Sequence, residues 1–192
     1  MNVSEIMPKR YEARPYHVVL FVSRNKDNSE LQNFSQRTKT FLTQKYPEEL
    51  ETDFNEFCER GIAKEMSRFY ISVNARRHEV IHKALQHYLI DNQDVSLTNI
   101  EKLIASISMK QGTALTKKFL FDYDDDPVSV GVFLSDVKQA LGDKTLVELQ
   151  KTVSGYAVVT ERGFDTRDLL AKWENVELKR DGMLFVKAQK KL

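Results

Sequence analysis

The feature that most constrains this chain is a hydrophobic period that switches back and forth along residues 118–180. Phe119-Leu120-Phe121-Asp122-Tyr123 is an apolar run of strand length, and Asp124-Asp125-Asp126-Pro127 turns the chain out of it. Val130, Phe133, Val137, Ala140 and Leu141 then recur at helical spacing, which predicts a helix closed by Gly142. Strands are expected at 145–150 and 156–160, separated by a Ser154-Gly155 turn. Asp165 is placed to cap a short helix carrying Leu169, Leu170 and Trp173. Val176 to Lys179 reads as a strand, and Asp181-Gly182 as a two-residue hairpin turn into Met183 to Lys187.

In order, these elements spell β-α-β-β-α-β. That succession is the split βαβ, ferredoxin-like or RNA-recognition-motif-like arrangement, an antiparallel sheet with helices on one face and the other face free for function. The expected class is therefore α+β, with this half at 113–192 packed on a helix-rich α/β half at 1–112 as one compact unit. In the first half a strand is expected at 16–23. Ser29 with Gln32 has the form of a capping box, and Leu31, Phe34, Phe41 and Leu42 supply a helical stripe after it. A second stripe follows Pro47 in Leu50, Phe54, Phe57, Cys58 and Ile62. Residues 66–74 alternate, with Phe69, Ile71 and Val73 on one face and Arg68, Tyr70, Ser72 and Asn74 on the other, as in a half-buried strand. Two further helices are expected over Val80–Leu89 and Leu97–Ile107.

Composition narrows the function classes. The 192 residues carry 29 basic and 28 acidic side chains, a net charge of +1, which excludes both an indiscriminate coat for nucleic acid and an acidic mimic of it. It does not exclude a local basic groove. A single cysteine, Cys58, excludes an internal disulfide framework and fits a reducing compartment. No apolar run reaches the roughly 18 residues of a membrane span, and no apolar segment of signal-peptide type precedes the first strand. The expectation is a cytoplasmic protein with no membrane partner.

Three groups of residues are able to carry chemistry. In Asp122-Tyr123-Asp124 the two carboxylates share a strand face with α-carbons roughly 7 Å apart, a spacing that lets them converge on a hard divalent cation. Glu177, on the strand at 176–179, is a third carboxylate if that strand neighbours the first. The plain alternative is a solvated acidic turn. His78-Glu79-Val80-Ile81-His82 matches the H-E-x-x-H zinc signature on a helix, with Glu101 on the next helix as a third ligand and Glu79 as base, the chemistry of a zinc hydrolase. Against it, the apolar face of that helix is centred away from Glu79. Arg68-Phe69-Tyr70 through Asn74, Arg76 and Arg77 presents guanidiniums beside an aromatic ring, a combination that holds phosphates and stacks bases. Ser23-Arg24-Asn25-Lys26-Asp27-Asn28 has the same character.

The segments Lys118-Phe119-Leu120-Phe121-Asp122-Tyr123-Asp124, Thr152-Val153-Ser154-Gly155-Tyr156-Ala157-Val158-Val159-Thr160 and Val176-Glu177-Leu178, in that order, resemble the three motifs of the archaeo-eukaryotic primase superfamily, most of all its small phage-type members. The resemblance covers about 118–187, with a weaker echo at Arg68 to Arg77. It implies metal-dependent nucleotidyl transfer with Mg²⁺ or Mn²⁺ held by Asp122, Asp124 and Glu177. The nucleic acid or nucleotide would be contacted by Arg68, Arg76, Arg77, Lys118 and Arg162. The family's histidine falls at Ala157, which offers neither charge nor hydrogen bond. That departure motivates a second reading, a non-catalytic derivative that binds nucleic acid or a protein, such as a phage-encoded inhibitor of a host nucleic-acid-processing enzyme, acting in the host cytoplasm. A basic stripe over Arg68, Arg76, Arg77, Lys117, Lys118 and Arg162 would favour nucleic acid; scatter would favour a protein partner.

Overall fold

The computed structural model describes residues 14–124, 128–142 and 146–192. The acidic turn at 125–127 and the start of the strand expected at 145 lie outside them. Among the described residues, eight strands form two four-stranded sheets, every ladder antiparallel, and five α-helices accompany them.

The first sheet has the order β2-β1-β3-β8, from β1 (His17–Ser23), β2 (Arg37–Thr43), β3 (Met66–Ser72) and β8 (Met183–Lys190). Between β2 and β3, α1 (Glu51–Glu59) lays Phe54, Phe57 and Cys58 on the outer face of this sheet against Val19, Phe21, Phe69 and Ile71. Cys58 is buried in that cluster, where burial pushes its thiol up from the ordinary value; hydrogen bonding from Ser67 and nearby cations only partly oppose this. After β3, α2 (His78–Asp91) packs on α3 (Ile100–Ser108), which lies along β2.

The second sheet has the order β5-β6-β4-β7, from β4 (Phe119–Tyr123), β5 (Val147–Lys151), β6 (Tyr156–Thr160) and β7 (Val176–Lys179). Its crossovers contain α4 (Val130–Leu141) and α5 (Arg167–Lys172). Period two along β4 divides the strand cleanly. Phe121 and Tyr123 point to the helices and meet Phe133, Val137, Leu141 and Leu169, while Leu120 and Asp122 point the other way. Trp173 is half-buried there and donates its indole N–H to Asp136 at 2.8 Å.

α1 covers one face of the first sheet and α4 and α5 cover one face of the second, and side chains from the opposite faces of both sheets line a common groove. The two sheets meet in an apolar seam of Val73, Leu120, Ala157 and Val159, with Leu184, which also packs against the α1 cluster, beside them. A polar lock sits beside this apolar seam. Arg76, whose side chain is fully buried, donates through Nη1 and Nη2 to the two carboxylate oxygens of Asp181 at 2.7 and 2.8 Å. Asn74 Nδ2 donates to the carbonyls of Lys118 and Arg180.

Three expectations are corrected. Residues 29–36 form turns, not a helix, and Phe41 and Leu42 lie in β2. Asn33 adopts a φ of 58°, which no right-handed helix accommodates. The β-branched Thr38, Thr40 and Thr43 suit the seven-residue ladder to β1. Asp181-Gly182 does not make a hairpin, because β7 pairs with β4 and β8 with β3, so the dipeptide carries the chain from one sheet to the other. A Cβ at Gly182 would come 2.8 Å from Lys179 Cβ and 3.1 Å from Leu120 Cδ2, so this crossing is tight. The boundary expected between 112 and 113 therefore does not separate the sheets, since β8 completes the first one.

Candidate functional site

The face-to-face sheets leave a groove of about 530 Å³ beyond the apolar seam. β1 and the turn after it contribute Leu20, Val22, Arg24 and Lys26, and β3 contributes Arg68 and Tyr70. From the second sheet come Leu120, Asp122 and Asp124, the β5–β6 turn with Thr152 and Ser154, and Ala157 and Lys179. Met183 and Phe185 of β8 complete it. Among the described residues, four cationic side chains thus face two carboxylates, and a partly buried aromatic pair, Tyr70 and Phe185, stands edge to face at 5.7 Å.

The three segments that carry the family resemblance meet here in register. Asp122 on the central strand β4 is directly opposite Ala157 on β6 and Glu177 on β7. Asp122 and Glu177 would repel across the ladder. Lys179, two residues after Glu177 and so on the same face, relieves this: its Nζ donates to Asp122 Oδ2 and lies 3.3 Å from Glu177 Oε2. Burial favours the neutral amine, but the hydrogen bonds to Asp122 and Glu177 outweigh it and hold the Lys179 ammonium above its ordinary pKa. Asp124 Oδ1 accepts from Ser154 Oγ at 3.1 Å. The side chain of Glu177 is 71% exposed at the sheet edge.

Each expected metal ligand is therefore already engaged by a donor of the chain. Among the described residues no three His, Cys, Asp or Glu side chains come together closely enough to hold a metal. The carboxylates do not fit Mg²⁺ or Mn²⁺ as they stand. The same holds at the H-E-x-x-H helix. His78 and His82 are exposed with rings stacked at 6.1 Å, His78 also stacks on Tyr16 at 4.7 Å, and Glu79 and Glu101 are exposed without joining them.

The expected basic contacts divide. Arg68 lines the groove, with Nη2 on Asp27. Asp27 also accepts from Arg24 Nε at 2.9 Å, so one carboxylate fixes two guanidiniums at the groove wall. Burial raises the Asp27 carboxyl, but hydrogen bonds from Arg24 and Arg68 outweigh it and hold the group below its ordinary pKa. Arg76 is interior and serves Asp181. Arg77 Nε donates to the carbonyl of Ala114 at 3.0 Å, and Arg162 Nη2 to that of Leu141 at 2.9 Å, at the end of α4. Lys118 faces a different cavity, with His17 and Glu148. These residues form no single stripe, and by the criterion set from the sequence that scatter favours a protein partner; a basic groove exists all the same, assembled from Arg68 with Arg24, Lys26 and Lys179, which that criterion did not include.

Compared with protein-family models, with curated proteins and with solved structures, the chain finds no match in any of the three. Among the described residues no helix is long and apolar enough to cross a membrane.

Proposed function

We propose that this chain is a primase-polymerase-like protein that binds a nucleotide or a single nucleic-acid strand in the groove between its sheets, as a binding module and not as a metal-dependent polymerase. The observation that carries the reading is the make-up of the groove: two guanidiniums and two ammoniums beside an aromatic pair, in a volume within the range of small-ligand sites. Arginine forks match phosphate oxygens. A base stacked on an aromatic ring contributes on the order of 1–3 kcal/mol without demanding a sequence.

Two further features support the family resemblance. The strand order β5-β6-β4-β7, with both crossovers helical, is the order of an RNA-recognition-motif-like sheet. The opposition of Asp122, Ala157 and Glu177 across three adjacent strands is what three converging motifs require. Two features favour binding over catalysis. Ala157 puts a methyl group where the family has a histidine, and Lys179 holds the carboxylates that a metal would need.

Fluorescence anisotropy with a labelled single-stranded DNA, a labelled RNA and a fluorescent nucleoside triphosphate tests this. Binding is expected to weaken steeply with salt. Lys26→Ala, an exposed change, should weaken it across all sequences and lower the salt slope by about one. Absence of binding to all three probes at low salt refutes the proposal, as does wild-type affinity in the Arg24→Ala/Lys26→Ala double variant. Incorporation of nucleotides that Asp122→Asn abolishes would refute the non-catalytic part.

A further inference from the structure

We infer that Lys179 is a built-in substitute for a divalent cation: its ammonium occupies the space between Asp122 and Glu177, so that the groove receives phosphates without a metal. The part of this concerning phosphates rests on the reading above; the part concerning the carboxylates does not.

The geometry carries the inference. Asp122 and Glu177 are opposite each other on adjacent strands of one sheet face. One nitrogen reaches both, donating to Asp122 Oδ2 and lying 3.3 Å from Glu177 Oε2. A Mg²⁺ or Mn²⁺ ion bridging the same oxygens would have to sit close to that nitrogen, since such ions bind oxygen at about 2.0–2.6 Å. The two cations exclude each other by volume and by charge. The third carboxylate, Asp124, is turned to the Ser154 hydroxyl. Lys179 also lines the groove, and an ammonium has three donors. Two directed at carboxylates leave one for a phosphate oxygen, the role a bridging metal plays elsewhere.

The substitution is local and reversible by mutation. β7 is an edge strand and the Lys179 side chain is one-third exposed, so its replacement does not open a core. Removing the ammonium leaves Asp122 and Glu177 facing each other with no cation between them, which is the starting arrangement for a divalent ion.

Mn²⁺ binding, followed by electron paramagnetic resonance and calorimetry on the full chain without nucleotide, tests the inference. Wild type and Lys179→Arg should not take Mn²⁺ in the groove. Lys179→Met should bind Mn²⁺ at least tenfold more tightly, and adding Asp122→Asn should cancel the gain. In parallel, nucleotide or single-strand binding by wild type should be unchanged by EDTA. Wild-type Mn²⁺ binding that Asp122→Asn abolishes overturns the inference, as does a correctly folded Lys179→Met protein that gains no Mn²⁺ affinity. Nucleotide binding lost in EDTA overturns it as well. Should no nucleotide bind at all, the function proposed above falls, while the Mn²⁺ comparison still decides the role of Lys179.

Discussion

Replacing Asp181 by Asn probes the lock between the sheets, and its cost follows from the geometry. Asn keeps the shape of the side chain but removes the charge that faces Arg76, whose own side chain is 0% exposed. Removing one partner from a buried ion pair costs about 3–5 kcal/mol, because the other charge is left without compensation. Asp181 is 32% exposed, so water reaches its end of the pair, and the expected loss is at the lower bound, about 3 kcal/mol. The reverse replacement, Arg76→Met, behaves differently. It fills the interior with an apolar chain of similar length and leaves Asp181 free to hydrate, so its cost should be below about 2 kcal/mol. Urea denaturation measures both. With a slope of about 1–3 kcal/mol per molar, Asp181→Asn should lower the midpoint by roughly 1–3 M. If Asp181→Asn costs no more than Arg76→Met, the pair is not acting as a buried charge and the reasoning fails.

Asp27 makes an acid-sensitive contribution. Its folded pKa is depressed, so its stabilisation is fully present above the ordinary value of 3.8 and is lost as pH falls through the lower folded value. The deficit of Asp27→Asn should therefore be constant from pH 5 to 8 and shrink below pH 4 in stepped unfolding experiments; a deficit that persists unchanged at pH 2 contradicts this. Gly155→Ala would place a Cβ 2.1 Å from the Tyr123 carbonyl and 3.0 Å from Asp124 Cα, both backbone atoms. Overpacking of this kind costs about 1–3 kcal/mol, or a Tm lower by roughly 4–8 °C for a mid-range cost in a chain of this size. An unchanged melting curve would show that the β5–β6 turn yields freely.

The second half of the chain was legible because its strands and helices each keep one period. Phe121 and Tyr123 alternate with Leu120 and Asp122, and Phe133, Val137 and Leu141 recur by fours, so each face declares its neighbour. β2 was not legible because Leu31, Phe34, Phe41 and Leu42 happen to fall at helical spacing, while its true determinant is a ladder to β1, which pairs Ser23 with Arg37 at one end and His17 with Thr43 at the other. Asp181-Gly182 has the local chemistry of a turn, and it does turn; that the next strand joins β3, with Asp181 held by Arg76, is a tertiary matter the dipeptide does not encode. At the site, the opposition of Asp122 and Glu177 followed from element order. Period two also placed Lys179 on the face of Glu177, a signal available in the sequence. That its ammonium would reach across the ladder to Asp122 is a matter of rotamer and packing, and no spacing reports it. Arg76 looked like its neighbours Arg68 and Arg77, and only the tertiary fold distinguishes an interior guanidinium from one at a groove wall.

The return of β8 to the first sheet has a consequence for how the chain acquires its structure. β3 ends at Ser72, and its partner β8 begins only at Met183, after the whole second sheet. During synthesis β1, β2, β3 and α1 emerge early but with one edge of β3 unpaired, an edge exposed to wrong partners. Closing so long a loop is slow if the intervening chain is loose, because its entropy must be overcome before the new pairing is gained. Prior compaction of the second sheet shortens that search by bringing Asp181 and Gly182 beside Asn74 and Arg76. The groove is complete only once β8 has paired with β3, because Met183 and Phe185, which line it, belong to that strand.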